Sequence, residues 1–254
     1  MKILVIGDGC KDVFIYGDIT RLSPEAPVPV FNPRRVVEND GMAKNVVNNV
    51  EALKSNVYTI TNKNSIRKIR YVDHKSNQLV LRVDEHDYCD RISKDVLLSI
   101  RDNTCNIPMV GKVEVDAIII SDYCKGFLYE DDIEGICHLN ENVFVDTKKK
   151  LGDWVRHADY LKINSIEYEQ NKDFLQGNDI INKTIITKGN EGCLFQDKIY
   201  STEDVQVKDI SGAGDTFVAG LTVEYIRSND IIKAIYFAQK CATLVVQKHG
   251  VATV

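Results

Sequence analysis

Short apolar runs and helical patterns alternate along this chain. "KILVIG" (residues 2–7) is a continuous apolar run of strand length. "AKNVVNNVEALK" (43–54) places Val46, Val47, Val50 and Leu53 at spacings of three and four, which predicts a helix. Further strands are expected at 56–61, 115–122, 141–147, 158–164 and 183–189, and helices at 93–103 and 129–139. Two long helices, about 213–227 and 230–247, close the chain. Apolar strands alternating with helices predict an α/β fold, with a mainly parallel central sheet flanked by helices on both faces.

Two segments break that rhythm. "RLSPEAPVPVFNPRRVVE" (21–38) holds four of the five prolines and should be extended and edge-like, because proline cannot donate to a central ladder. "IRKIRYVDHKSNQLVLRVDEHD" (66–87) alternates around "DHKSN" as a hairpin does. Both are expected to form a small β lid over the open end of the sheet, with lid segments at about 12–38 and 66–84 of a single domain covering 1–254. No internal repeat or low-complexity linker interrupts it.

Composition narrows the function classes. With 44% hydrophobic and 27% charged residues the chain has a globular balance. A net charge of -5 and a pI near 5.6 argue against a nucleic-acid partner. No apolar run approaches the roughly 20 residues of a membrane span, and the N-terminal apolar run is too short for a signal peptide. Seven scattered cysteines and five histidines show no zinc-ligand spacing. Reduced thiols in the cytoplasm are the expectation.

One stretch carries chemistry on its face. "DISGAGDTFVAGL" (209–221) puts Gly212, Ala213 and Gly214 before Asp215 at the start of a helix. Amides there lack helical partners and the dipole favours anions, while small residues let a phosphate approach the backbone. A carboxylate beside such a nest suits phosphoryl transfer: Asp215 would take the proton of an attacking hydroxyl while the amides hold charge on the phosphoryl group. An ordinary acid in a first helical turn explains the same residues equally well. At the N-terminus, "GDGCKD" offers G-x-G, but Asp12 stands where a dinucleotide fingerprint needs its third glycine. That argues against a nicotinamide cofactor.

The same stretch resembles the C-terminal signature D-T-x-G-A-G-D-x-F of the ribokinase-like (PfkB) carbohydrate kinases, at Asp209, Gly212, Ala213, Gly214, Asp215 and Phe217. "LKINSIEYE" is similar to that family's N-x-x-E segment and "IITKGNEGCLF" to its T-+-G-x-x-G segment. Within the family, "GDGCKDVFIYGDITRLSPEAPVPVF" (7–31), "NQLVLRVD" (77–84) and "SDYCKGFL" (121–128) resemble the heptose 7-phosphate kinase branch.

The resemblance implies a ribokinase-like fold and ATP-dependent phosphorylation of a sugar phosphate with Mg2+. In that branch the acceptor is a heptose 7-phosphate at O1, and the product feeds nucleotide-activated heptose. Asp215 would be the base and Gly212 to Gly214 the anion hole. Asp12, Gly41 and Asn45 would hold the sugar, with Arg70, Arg82 and Lys125 as a phosphate clamp. Asn164, Glu167, Thr187, Lys188, Gly189, Asp209 and Gln239 would serve the nucleotide, and Glu167 the metal, directly or through water. Lys148 of "DTKKK" would point toward the phosphates, with Lys149 and Lys150 on the surface; His249 flanks adenine or is a plain loop histidine. ATP and a small-molecule sugar phosphate are then the partners, with a separate nucleotidyltransferase downstream and a homodimer through the lid.

The chain also departs from the pattern. Met42 replaces the second glycine of G-G, Lys44 a small residue, and Gln239 an asparagine. The segment between Leu53 and Ile66 is shorter than in relatives, which leaves a sheet edge open or available to a second subunit. Alternatives are a kinase of another sugar or a nucleoside, or a sugar- or nucleotide-binding module that has lost catalysis.

Overall fold

The protein was analysed as a computed structural model that describes residues 1–101, 104–107, 111–248 and 250–254. His249 lies outside the described residues.

The chain starts in β1 (Lys2–Gly7) and leaves the first sheet at Asp8. It then builds two long strands, β2 (Gly9–Leu22) and β3 (Pro29–Met42). Helix α1 (Ala43–Ala52) returns it to β4 (Asn56–Thr61). The expected hairpin follows as β5 (Ile66–Asp73) and β6 (Leu79–Glu85). β2, β3, β5 and β6 form their own four-stranded sheet in the order β3-β2-β5-β6. The proline-rich segment thus lies largely in an edge strand, β3, where missing amides break no interior ladder.

The helix expected at 93–103 is present but shorter: among the described residues of that stretch only α2 (Lys94–Leu98) is helical, capped by Ser93, and residues 102 and 103 lie outside the described residues. It is followed by β7 (Ile100–Arg101), β8 (Thr104–Ile107) and β9 (Gly111–Glu114), a small three-stranded antiparallel sheet. Ile100, Cys105 and Val113 are buried against one face of the main sheet. The apolar spacing was real, but period-two contacts satisfy it as well as a helix would.

The chain continues through β10 (Ala117–Asp122), α3 (Glu130–Cys137), β11 (Val143–Thr147) and β12 (Tyr160–Asn164). α4 (Ser165–Gln176) leads to β13 (Thr184–Thr187), then β14 (Cys193–Phe195) and β15 (Lys198–Tyr200). α5 (Ala213–Ser228) and α6 (Ile231–Val246) finish the fold. The main sheet has the order β15-β14-β13-β12-β11-β10-β1-β4. Only β14 and β15 run antiparallel to their neighbours.

Both faces of that sheet are covered. Leu4 and Ile6 of β1 face the α3 and α4 side with Ile118 and Ile120, while Ile3 and Val5 face α1, α5 and α6. Burial on both sides is why the strands are continuously apolar rather than alternating. β1 pairs in parallel with both β4 and β10. The chain therefore departs in opposite directions from β1 and β10, and a crevice opens beyond their carboxyl ends. The second sheet is anchored beside it: Gly9 N–H donates to Asn62 Oδ1 at 2.6 Å, and Ala43 N–H to the Asp8 carbonyl at 2.9 Å.

Candidate active site

Asp215 lies in the first turn of α5 and is buried. Gly212 before it has φ 81°, a left-handed conformation that suits glycine. The turn spends two amides internally, Ala213 N–H on the Ile210 carbonyl and Thr216 N–H on that of Gly212. The amides of Gly214 and Asp215 meet no acceptor among the described residues. They are the donors an anion would find there.

Two side chains fix the Asp215 carboxylate. Tyr123, just after β10, donates its hydroxyl to Oδ1 at 2.6 Å, and Asn45 of α1 donates Nδ2 to Oδ2 at 2.9 Å. Burial raises the Asp215 pKa to about 6; the two hydrogen bonds and Lys162 restrain the rise, and the Asp146 charge adds to it. A carboxylate poised there is charged at neutral pH yet basic enough to accept a proton. Asn45, expected only against the sugar, stands at the junction between acceptor side and base.

Tyr123 was not among the expected site residues. Its position comes from Asp8, a fully buried acid at the end of β1. Asp8 accepts the backbone amides of Tyr123 at 2.6 Å, Lys125 at 3.2 Å and Phe127 at 3.3 Å. One carboxylate thus folds the 123–127 loop, in which Cys124 takes a positive φ of 57°. The signal for both residues lay in "GDG" and "SDY", but neither shows alone that its partner is a loop amide or a base 92 residues away.

On the other side of Asp215 lies a cavity of about 470 Å³. Gly212, Ala213 and Gly214 form one end with Lys148 and Lys162; Val205, Val207, Ala242 and Val246 supply apolar walls. Asn164, Thr187, Gly189 and Gln239 line it as expected. Lys188 does not line it. Asp209 does not either: it accepts the amides of Ser211 at 2.8 Å and Gly250 at 3.0 Å, and so shapes the loop before the nest. Gln239 donates Nε2 to the Tyr200 carbonyl at 2.5 Å, and its Oε1 is buried without a donor.

Asn164 and Glu167 form a capping box on α4. Glu167 N–H reaches Asn164 Oδ1 at 2.9 Å, and Asn164 N–H reaches Glu167 Oε2 at 2.8 Å. The N-x-x-E spacing therefore also has a local structural reason. Glu167 Oε1 holds Lys148 at 2.6 Å. Lys162 and Asp146 form a buried pair at 2.8 Å. Burial opposes the Asp146 charge, but Lys162 and Lys148 outweigh it and hold its pKa below the ordinary range. Lys149 is not a surface residue: its ammonium lies 3.2 Å from buried Asp122, with little exposure, because the turn after β11 folds it inward. Lys150 is exposed.

The second sheet presents Asp12 on the acceptor side. Asp12 is buried and ion-paired to Arg70, which also lies over the Phe14 ring. A side chain at Gly41 would strike Asp12 Oδ2 at 2.0 Å, so the glycine makes room for that carboxylate. Arg82 is exposed and bidentate to Asp84, 2.7 Å on each arm. Lys125 pairs with Asp87 at 2.5 Å. Met42 is buried with φ 57° and ψ -135°, and the Lys44 stem runs across Gly9. Glu134, His138 and His157 cluster at the surface, near the amino ends of β11 and β12 and away from this crevice. Among the described residues, no helix is long and apolar enough to cross a membrane.

Comparison with known proteins agrees with this geometry. Residues 112–254 match the pfkB family carbohydrate kinase model. The chain is 30% identical to the Bifunctional protein HldE of Helicobacter pylori, over 99% of this chain and 64% of that protein, and 28% identical to HldE of Nitratiruptor, over 99% and 63%. It thus spans less than two thirds of the length of these curated relatives. The alignment with the H. pylori protein runs over 300 positions, more than the 254 residues present here, so the relative carries extra residues within the matched span. Phosphofructokinase-2 from Escherichia coli in complex with potassium superposes with a TM-score of 0.70 at 12% identity, covering 98% of this chain and 94% of that one. Arabidopsis thaliana ribokinase complexed with ribose and ATP gives 0.69 at 14%, covering 98% and 93%. A nest of free amides, a buried carboxylate and a cavity of nucleotide size thus sit on a ribokinase-like fold, and the chain belongs to the pfkB family of carbohydrate kinases.

Proposed function

We propose that the chain transfers the γ-phosphate of ATP to a hydroxyl of a sugar phosphate, with Asp215 as general base. The observation that carries this reading is the Asp215 carboxylate, buried with a pKa near 6 beside the unpaired amides of Gly214 and Asp215. ATP occupies the 470 Å³ cavity, its base between the apolar walls and Gln239, its phosphates toward Lys148, Lys162 and the nest. The acceptor lies under the second sheet, which acts as a lid, against Asp12, Gly41 and Asn45. Its hydroxyl gives its proton to Asp215 and attacks the γ-phosphorus in line, while the amides stabilise charge on the transferring group. Lid closure excludes water from the reaction.

The local donor set fits a hard divalent cation: Glu167 and Asp146 are carboxylates, bridged by Lys148, and oxygen donors suit such an ion. Glu167 would hold Mg2+ through water, since both its oxygens already accept hydrogen bonds. The ion would neutralise phosphate charge.

Within this reading a heptose 7-phosphate, accepting at O1, is the acceptor we favour. The HldE relatives and the "SPEAPVPVF" and "SDYCKGFL" segments support it. Nucleotidyl transfer to the product would fall to another enzyme. ADP release should be stimulated by heptose 7-phosphate in the wild type and fall by about 10²–10⁴ in Asp215→Asn. Absence of any stimulated turnover, or full activity in the variant, overturns the reading.

A further inference from the structure

The face of the second sheet that looks into the crevice carries three cations, Lys68, Arg70 and Arg82. Register places Lys68 beside Asp12 and opposite Asp84, and Arg70 beside Phe14 and opposite Arg82. Lys125 joins them from the 123–127 loop. Three of the four have acids of their own: Arg70 has Asp12, Arg82 has Asp84 and Lys125 has Asp87. Lys68 has none. Among the described residues its ammonium has no carboxylate within ion-pair distance and no hydrogen-bond partner, and it keeps some access to solvent. Its one polar contact is with the ring of Tyr123, 5.0 Å away.

Lys68 is also the most deeply placed of the four, at 8% exposure. An ammonium so placed gives up part of its hydration with no acid in exchange. Arg82 and Lys125 add repulsion from one side, while Asp12 and the Cys10 thiol face it from the other. Burial is the chief reason its pKa is lowered. The group therefore gains from an anion more than its three paired neighbours do. Its ring contact places it beside the residue that holds Asp215, and Lys148 approaches the same ring at 5.4 Å. Lys148 lines the nucleotide cavity and Lys68 does not, while register sets Lys68 beside Asp12, so Lys68 faces the acceptor.

We propose that Lys68 reads the charge of the acceptor, pairing with a phosphate ester on the sugar and making the enzyme selective for sugar phosphates over free sugars. Arg70 and Arg82, already committed to acids, are then secondary to it. This inference rests on the kinase reading above and names the residue that sets its substrate class.

The test compares wild type, Lys68→Met and Lys68→Arg with heptose 7-phosphate and with the unphosphorylated heptose, by ADP release and by calorimetric binding. Lys68→Met is expected to raise KM and Kd for the phosphorylated acceptor by about 10- to 100-fold. KM for ATP and for the free sugar should stay unchanged, and Lys68→Arg should keep most of the discrimination. Thermal melts should show Lys68→Met about as stable as wild type, because no ion pair is lost. Equal changes for both acceptors, a change confined to kcat, or no change overturns the proposal. If wild type turns over neither acceptor, the kinase reading fails for these sugars and calorimetry alone decides Lys68. Binding of heptose 7-phosphate that weakens in Lys68→Met then sustains it; equal or absent binding refutes it.

Discussion

The hydroxyl of Tyr123 donates to Asp215 Oδ1 at 2.6 Å, and this bond joins the loop after β10 to the first turn of α5. A donor on a carboxylate favours its charged form. Tyr123→Phe should therefore raise the Asp215 pKa above its present value near 6. The acid limb of the kcat–pH profile is expected to move up by about one unit, with activity lost at pH 6 and largely recovered at pH 8. An unmoved limb would show that the bond does not tune the base.

Asp215 itself should oppose stability while serving chemistry. Its pKa is raised from 3.8 to about 6, so between those values the folded state binds the proton more tightly than the unfolded chain. Stability from this group is therefore present at low pH and lost as pH rises through about 6, a loss of order 2–3 kcal/mol above it. Asp215→Asn is expected to denature at higher urea concentration than wild type at pH 7.5, with the gap closing near pH 4, while activity collapses.

Gln239 bears on nucleotide choice. Its amide orientation is set by donation to the Tyr200 carbonyl, which leaves an unpartnered oxygen buried behind the cavity wall. Turned toward the cavity, that oxygen can accept from the 6-amino group of adenine, whereas guanine presents a carbonyl. Gln239→Leu should raise KM for ATP about tenfold and narrow the preference for ATP over GTP, as initial rates with both nucleotides would reveal.

Gly212 couples backbone shape to the base. A methyl group there would lie 2.6 Å from Asn45 Nδ2, and φ is 81°. Gly212→Ala is expected to lose about 1–2 kcal/mol of stability. By pushing Asn45 off Asp215 it should also lower kcat more than it raises KM for ATP. Denaturant melts and steady-state kinetics separate the two effects.

Met42 tests two opposing terms. Its φ of 57° and ψ of -135° suit glycine, and relief of that strain is worth roughly 1–3 kcal/mol. Its side chain is 2% exposed and packs in the core, and deleting a buried Met costs about 2–5 kcal/mol. Burial outweighs strain, so Met42→Gly should lower the melting temperature although it restores the family's residue.

Much of the site was legible because its parts are local. The glycines and acid of "SGAGD" fall within one turn, so their joint use at a helix start follows from spacing. The N-x-x-E pair likewise lies within one turn of α4. Asp209 was misleading for the same reason: its position in the motif matches the family, but its carboxylate is consumed by the amides of Ser211 and Gly250. The helix expected over 93–103 gave way to β7 after Leu98 because a short apolar run near a sheet can be buried by strands as easily as by a helix.

By itself the sequence determined the alternation of buried strands and helices, the proline-rich edge, the small-residue turn and the kind of acid that follows it, because these rest on contacts a few residues apart. Only the tertiary structure decided which groups meet across the crevice. Asp8 folds the loop that delivers Tyr123 to Asp215, and β5, β6 and that same loop gather four cations of which three are neutralised and Lys68 is not. Charge pairing depends on distances set by strand register and chain crossover, and residues far apart in the chain carry no mark of which partner the fold will bring to them.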